Sequence, residues 1–165
     1  MSVRSLLAVS LTLAAVVAPR ASAQDSSFAA MQQRGKVAMG VDQYTSIHKF
    51  DDLADGGRIE LQRDRDDTAG VRAIRDHLRS IEKAFSTGDF GTPAFVHMRD
   101  VPGTKVMAAR RAHIRYRFEP LPRGGQLRIT TTDSSARQAV HRFLAFQRDD
   151  HHAAGHTMHG SAPRH

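Results

Sequence analysis

Three histidines stand where their imidazoles can reach the interior of a small domain. His48 lies in a segment with the period of a β-strand and on the predicted inward face of that strand. His77 lies between Ile74 and Ile81 in the apolar stripe of a predicted helix, and His97 lies in the segment that follows this helix. Neutral imidazole ligates zinc, copper and nickel and also transfers protons. These histidines are therefore the first candidates for a metal or ligand site.

Five further residues are accessory candidates: Asp42, Gln43, Met39, Met107 and His141. Asp42 and Gln43 precede His48 and can orient a ligand, although a bulged or irregular start of the strand is the favoured interpretation. The two methionine thioethers can join a copper site, but core packing is their more common role. His141 is interpreted as a helix-edge residue. A structural role is also the alternative for the three main histidines, because a buried histidine often only donates a hydrogen bond.

The C-terminal segment 151–165 concentrates histidine among glycine and alanine. It contains His151, His152, His156 and His159, and we predict that it is disordered. A flexible set of imidazoles can chelate copper, nickel or zinc weakly, and a solubilising tail is the alternative. His151 is also placed to end the preceding helix, where an imidazolium favours the helix dipole.

An internal duplication organises the rest of the chain. Residues 36–61 align with 104–129 without a gap, so that Met39 matches Met107 and His48 matches Tyr116. Shifting the alignment by two residues continues the match into the next segment. Each copy is predicted as strand, turn, strand and helix, with glycine pairs supplying positive φ at the turns. We therefore expect an α+β fold in which two ββα units form a four-stranded antiparallel sheet with two helices on one face.

The other face of the predicted sheet is basic. It carries Arg58, Arg115, Arg117 and Arg128, which outnumber its acidic residues. This face can bind an anionic lipid or polysaccharide of a cell envelope, although a solvated charged face is the default interpretation.

The first 23 residues of the 165-residue chain have the pattern of a signal peptide: a positive start, an apolar run and a small-residue cleavage pattern at 21–23. We expect cleavage after Ala23 and a periplasmic or extracellular protein. The expected organisation is a flexible segment 24–35, one domain 36–150 and the tail 151–165, with no transmembrane segment in the mature chain. The mature chain then has 22 basic and 17 acidic residues. Export makes nucleic acid an unfavourable partner, and a homodimer is left open.

Several classes of chemistry lack their sequence patterns. Cysteine is absent, so any metal site must use histidine, carboxylate or methionine. The chain has no GxSxG, HExxH, GxxxxGK or GxGxxG pattern of hydrolases, metalloproteases or nucleotide-binding proteins. Binding is therefore favoured over catalysis.

Short stretches of the chain also carry a resemblance that spans about 36–151. They are MGVDQ at 39–43, IHKF at 47–50, RDHL at 75–78, GDF at 88–90, and VHRFLAFQ at 140–147. In these stretches the chain resembles a largely uncharacterised group of small exported bacterial proteins. Histidine recurs in that group at the positions of His48, His77 and His97, whereas Ile47 replaces a second histidine. Some similar proteins carry a carbamoyltransferase name, but this chain lacks the Ser-Thr-Arg-Thr and His-Pro-x-Gln motifs of that enzyme family and is too short for its two domains.

The sequence thus favours an exported binding protein with a copper or zinc ion, or a small ligand, held by His48, His77 and His97. The alternative is an envelope interaction module that uses the basic sheet face, with structural histidines. A third hypothesis is a small histidine-dependent enzyme.

Overall fold

Nine helices and strands make up the part of the chain that the structure describes. A computed structural model describes residues 21–153 and 155. In chain order the elements are α1 (Ala21–Met39), β1 (Ser46–Leu53), β2 (Gly56–Arg63), α2 (Thr68–Ser86), α3 (Gly91–His97), α4 (Thr104–Ala109), β3 (Ile114–Leu121), β4 (Gly124–Thr131) and α5 (Ser134–His151). Single 3-10 turns at Gln43–Thr45 and Arg111–His113 precede β1 and β3.

The strands form one antiparallel sheet in the order β1-β2-β4-β3. Helix α2 packs over β3 and β4, and α5 packs over β1 and β2, so that each helix covers the hairpin of the other repeat. Asp67 and Asp133 begin these helices by accepting hydrogen bonds from Gly70 N at 3.0 Å and Ala136 N at 2.8 Å. The predicted α+β fold is confirmed.

The duplication is visible in the structure. Strands β1 and β3 begin 68 positions apart, as do β2 and β4, whereas α2 and α5 begin 66 positions apart because the link after β2 is longer. Ile59 pairs directly with Leu127, its own counterpart, in the register of β2 and β4. The two repeats are thus related by a pseudo-two-fold axis through this pair. Each repeat also contains a preceding helix, α1 or α4, so the repeating unit extends beyond the predicted ββα.

The paired glycines of the hairpins do not all have the positive φ that the sequence predicted. Gly56 has a φ of 144°, but Gly124 is absent from the positive-φ residues of the described chain. A Cβ on Gly124 would lie 2.0 Å from Leu61 O, and one on Gly56 would lie 2.2 Å from Ile129 O. These glycines are required because the two central strands approach each other closely where their ends pair.

The N-terminal segment also differs from the prediction. Residues 24–35, expected to be flexible, lie within α1. Met31 and Gln32 are buried, and Arg34 Nε donates to Val96 O at 2.7 Å. Helix α1 is ordered because it packs against α3 and α2 and covers one end of the domain.

The expected boundaries of the domain shift at the other end as well. The tail was expected to begin at 151, but His151 is the last residue of α5 and is buried. Residues 1–20, most of the expected signal peptide, and His156 and His159 lie outside the described residues. No helix within the described part of the chain is long and apolar enough to cross a membrane.

Candidate functional site

A cavity of about 100 Å³ lies between the sheet and the helices, and its walls are mainly apolar. Four histidines line it: His48 from β1, His77 from α2, His97 from α3 and His151 from α5. The three histidines predicted as a site therefore share one cavity, and His151 joins them from the segment assigned to the tail. Met39, Gln43 and Gln147 also line the cavity.

Gln43 determines which ring nitrogen of His151 carries the proton. Gln43 Nε2 donates to the backbone oxygen of His151 at 3.0 Å, and this bond orients the amide. Gln43 Oε1 then accepts from His151 Nδ1 at 2.8 Å. The neutral imidazole consequently carries its proton on Nδ1 and its lone pair on Nε2, which is the atom left for a ligand.

His48 and His77 are oriented in the same manner. Ser46 Oγ donates to Asp42 O at 3.0 Å and lies 3.1 Å from His48 Nε2, so it accepts the Nε2 proton and leaves a lone pair on Nδ1. His77 donates one ring proton to the backbone oxygen of Ala38, which leaves the lone pair on its other nitrogen. Each of these imidazoles thus donates one N–H hydrogen bond to a protein oxygen.

His97 has the most polar surroundings of the four. Its Nδ1 donates to Asp150 Oδ2 at 2.5 Å, and Asp150 is also paired with Arg99. His97 Nε2 lies 3.2 Å from Gln147 Oε1, while the buried Gln147 Nε2 has no hydrogen-bond partner within the described structure. A buried donor without a partner is costly, and Gln147 lines the cavity. With Nδ1 as the donor to Asp150, the Nε2 lone pair of a neutral His97 can accept from the side-chain amide of Gln147 when the amide nitrogen faces it.

Burial keeps three of these imidazoles neutral at pH 7. It lowers the pKa of His48 to about 4, with a smaller contribution from His77. It lowers the pKa of His151 to about 3, with contributions from neighbouring His97 and His48. Burial also lowers the pKa of His77. Because metals bind the neutral imidazole, protons compete weakly with a metal ion at this cluster.

Three of these histidines have aromatic residues at the equivalent positions of the other repeat. The counterparts of His48 and His77 are Tyr116 and Phe143 in the second repeat, and the counterpart of His151 is Phe85 in the first, as the two alignment offsets show in the sequence. Phe85 contacts Tyr116 at 5.6 Å and Phe143 at 5.8 Å between ring centroids.

The rings of His48, from the first repeat, and His151, from the second, lie 6.1 Å apart. Phe85 and Phe143 also line the cavity, so histidines and their aromatic counterparts share its wall. Extending the alignment to the end of α5 would have identified His151 from the sequence.

The two methionines behave differently despite their equivalent positions. Met39 lines the histidine cavity, whereas Met107 is fully buried in the core and is not part of the cavity wall. Asp42 Oδ1 accepts from Tyr44 N at 2.9 Å and caps the 3-10 turn that presents Gln43. Asp42 therefore positions the cavity residues from outside.

Two other candidate histidines lie outside the cavity. His141 Nε2 is within hydrogen-bond distance of the carbonyl oxygens of Leu53 at 3.1 Å and Gly56 at 2.9 Å, so His141 braces the first hairpin. His152 is exposed and stacks on Phe28 with ring centroids 4.5 Å apart.

The basic sheet face carries acidic residues that compensate its charge. Arg58 pairs with buried Asp51 at 2.5 Å. Arg128 pairs with Asp55, and Arg117 lies 3.9 Å from Glu119, while Arg115 is exposed. These pairs lower the positive potential that an anionic envelope would sense.

In residues 21–153 and 155, no three histidine, aspartate or glutamate side chains are arranged as a ready metal site. Comparison with family models, with curated proteins and with solved structures found no match to this chain. Arguments about function therefore rest on the chemistry of the cavity.

Proposed function

We propose that the protein binds a transition-metal ion, copper or zinc, in the cavity lined by His48, His77, His97 and His151. The observation that carries this proposal is the contrast between equivalent positions: His48, His77 and His151 line a cavity, whereas their counterparts in the opposite repeats are aromatic. The pattern typical of a signal peptide supports the further proposal that binding takes place outside the cytoplasm.

A purely structural role does not account well for this cluster. Burying a polar ring where an apolar ring fits costs free energy unless its polar atoms are satisfied. Here protein oxygens accept the N–H of His48 and His151 but leave a nitrogen lone pair on each ring. A Lewis acid is the partner that such lone pairs lack, and hydrogen-bonded outer partners are typical of metal-binding histidines. Side-chain rotations are needed to gather the ligands around one ion, because no three histidine, aspartate or glutamate side chains of the described residues are already arranged as a metal site.

The test exchanges each histidine for its counterpart in the other repeat: His48→Tyr, His77→Phe and His151→Phe. All proteins carry alanine at His156, His159 and His165, so that the tail does not contribute. We expect the parent to hold one metal ion per chain after dialysis and each variant to lose at least about tenfold in affinity, because one ligand is removed. Metal content by mass spectrometry and competition with a chromophoric chelator measure this.

His113→Asn is the matched control, because His113 is an exposed histidine in the 3-10 turn before β3. It should bind metal like the parent. Thermal unfolding checks that every variant is folded, and the aromatic variants should be at least as stable as the parent. Equal metal content in the parent and in all three folded variants, or no metal in the parent, would refute the proposal.

A further inference from the structure

The cavity contains no acidic side chain. Its polar wall consists of the four histidines, Gln43, Gln147 and Thr92, and none of these side chains carries a negative charge. Met39 contributes a thioether. The nearby carboxylate of Asp150 is engaged by His97 and is paired with Arg99. The side chains that face an ion in this cavity therefore supply lone pairs without negative charge.

A neutral donor set discriminates between ions by their charge. The free energy needed to transfer an ion from water into a surrounding of low polarity rises with the square of the ionic charge. Phe50, Phe85 and Phe143 make the cavity wall apolar, so little solvent remains to compensate a divalent ion. Zinc and Cu(II) need anionic ligands here more than a monovalent ion does.

The thioether of Met39 also favours monovalent copper over divalent ions, because sulfur is a soft ligand. Thioether and imidazole together suit Cu(I), whereas a hard ion gains little from sulfur. Met39 lines the cavity at the end of α1, whereas its counterpart Met107 is enclosed in the core. Cu(I) also accepts low coordination numbers, so the absence of a three-residue group of histidine, aspartate or glutamate within the described structure does not oppose it.

We propose that the cavity binds monovalent copper in preference to divalent ions, with Met39 and His151 among the ligands. This inference rests on the proposed function, because it specifies the ion for the same cavity.

The test compares Met39→Leu with Met107→Leu, a matched pair at equivalent positions of the two repeats. Affinity for Cu(I) is measured by anaerobic competition with a chromophoric Cu(I) chelator, and affinity for Zn(II) by competition with a zinc indicator. Met39→Leu should weaken Cu(I) binding about tenfold or more and change Zn(II) binding by less than about twofold, because a neutral thioether is a much better ligand for Cu(I) than for the harder Zn(II). Met107→Leu should change neither affinity.

Gln147→Glu tests the role of charge independently. A carboxylate in the cavity wall should raise the affinity for Zn(II) about tenfold relative to Cu(I), because it compensates the divalent charge. X-ray absorption at the copper edge gives a direct readout: sulfur scattering should be present in the parent and in Met107→Leu but absent in Met39→Leu.

The outcomes separate the two proposals. Zinc binding that depends on His151, with no preference for Cu(I) and no copper–sulfur scattering, overturns this inference and leaves the proposed function intact. Failure to bind any of Cu(I), Cu(II) and Zn(II) overturns both. Cu(I) binding that is equal in the parent and in Met39→Leu removes Met39 from the ligand set and contradicts the inference.

Discussion

At the scale of single residues, Gln43 determines what His151 can do. Its amide contacts His151 twice, through the backbone oxygen and through Nδ1, and these two bonds leave only one tautomer for the neutral ring. Gln43 is in turn presented by a 3-10 turn that Asp42 caps. Gln43 is thus a positioning residue, because it acts on a bound ion through His151.

Gln43→Leu tests this role. We expect the affinity for the metal to fall about tenfold to a hundredfold, as for other outer-shell partners of metal-binding histidines, because Nε2 of His151 is no longer held as the lone-pair atom. Chelator competition measures the affinity. The control is Gln138→Leu at an exposed position of α5, which should bind like the parent. Unchanged affinity in a folded Gln43→Leu protein would contradict the positioning role.

At the scale of elements, α5 is held on β1 by a buried cation. Arg148 donates to Phe50 O at 2.5 Å and to Asp52 Oδ1 at 3.2 Å, and the side chains of Arg148 and Asp52 are both buried. Because α5 also supplies Gln147 and His151, this contact fixes the helix that carries two of the cavity's polar groups. Loss of the cation therefore affects both stability and the cavity.

Arg148→Met is expected to lower the free energy of unfolding by about 3–5 kcal/mol, because it removes the cation from a buried carboxylate and a donor from a backbone oxygen. Denaturant unfolding followed by circular dichroism measures this. Arg142→Met, on the exposed side of the same helix, should change the free energy by less than about 0.5 kcal/mol. The double variant with Asp52→Asn should recover part of the loss. Similar stability of both arginine variants would show that the buried contact contributes little.

At the scale of the whole molecule, the pseudo-symmetric fold places chemically different groups at equivalent positions, histidines at one set and aromatic rings at the other. The aromatic cluster around Phe85 is insensitive to pH, whereas the histidine cluster is not. His48 and His151 stay neutral in the folded protein down to about pH 4 and about pH 3, below the ordinary histidine pKa of 6.5. Stability of the entire domain is therefore linked to proton uptake at this cluster.

The free energy of unfolding of the metal-free protein should decrease as the pH falls from about 6.5 to about 4. In this range the unfolded chain binds protons at these histidines and the folded chain does not, so acid favours unfolding. Above the ordinary pKa neither state is protonated there and the contribution disappears. Urea unfolding at a series of pH values measures the slope. His151→Phe should flatten it and His113→Asn should not, while parallel curves for the parent and His151→Phe would contradict the linkage.

Much of the fold was predictable because repeated local patterns encode it. The strand period and the duplicated alignment predicted the sheet and both covering helices. Helix α1 was missed because its order arises from contacts with distant residues, such as the bond from Arg34 to Val96 O. The glycine pairs were assigned to turns, although the close approach of two strands requires them, and only strand pairing reveals such an approach.

The candidate site, like the fold, could be predicted from the sequence only in part. The inward direction of His48 and His77 follows from the amino-acid sequence, because strand and helix periods orient side chains without reference to the rest of the chain. The packed fold was needed to show that His97 and His151 share their cavity, that Met39 lines it and Met107 does not, and that Gln43 sets the tautomer of His151. These facts depend on contacts between residues far apart in the chain, and their energies come from burial and hydrogen bonds that exist only after the elements have packed together.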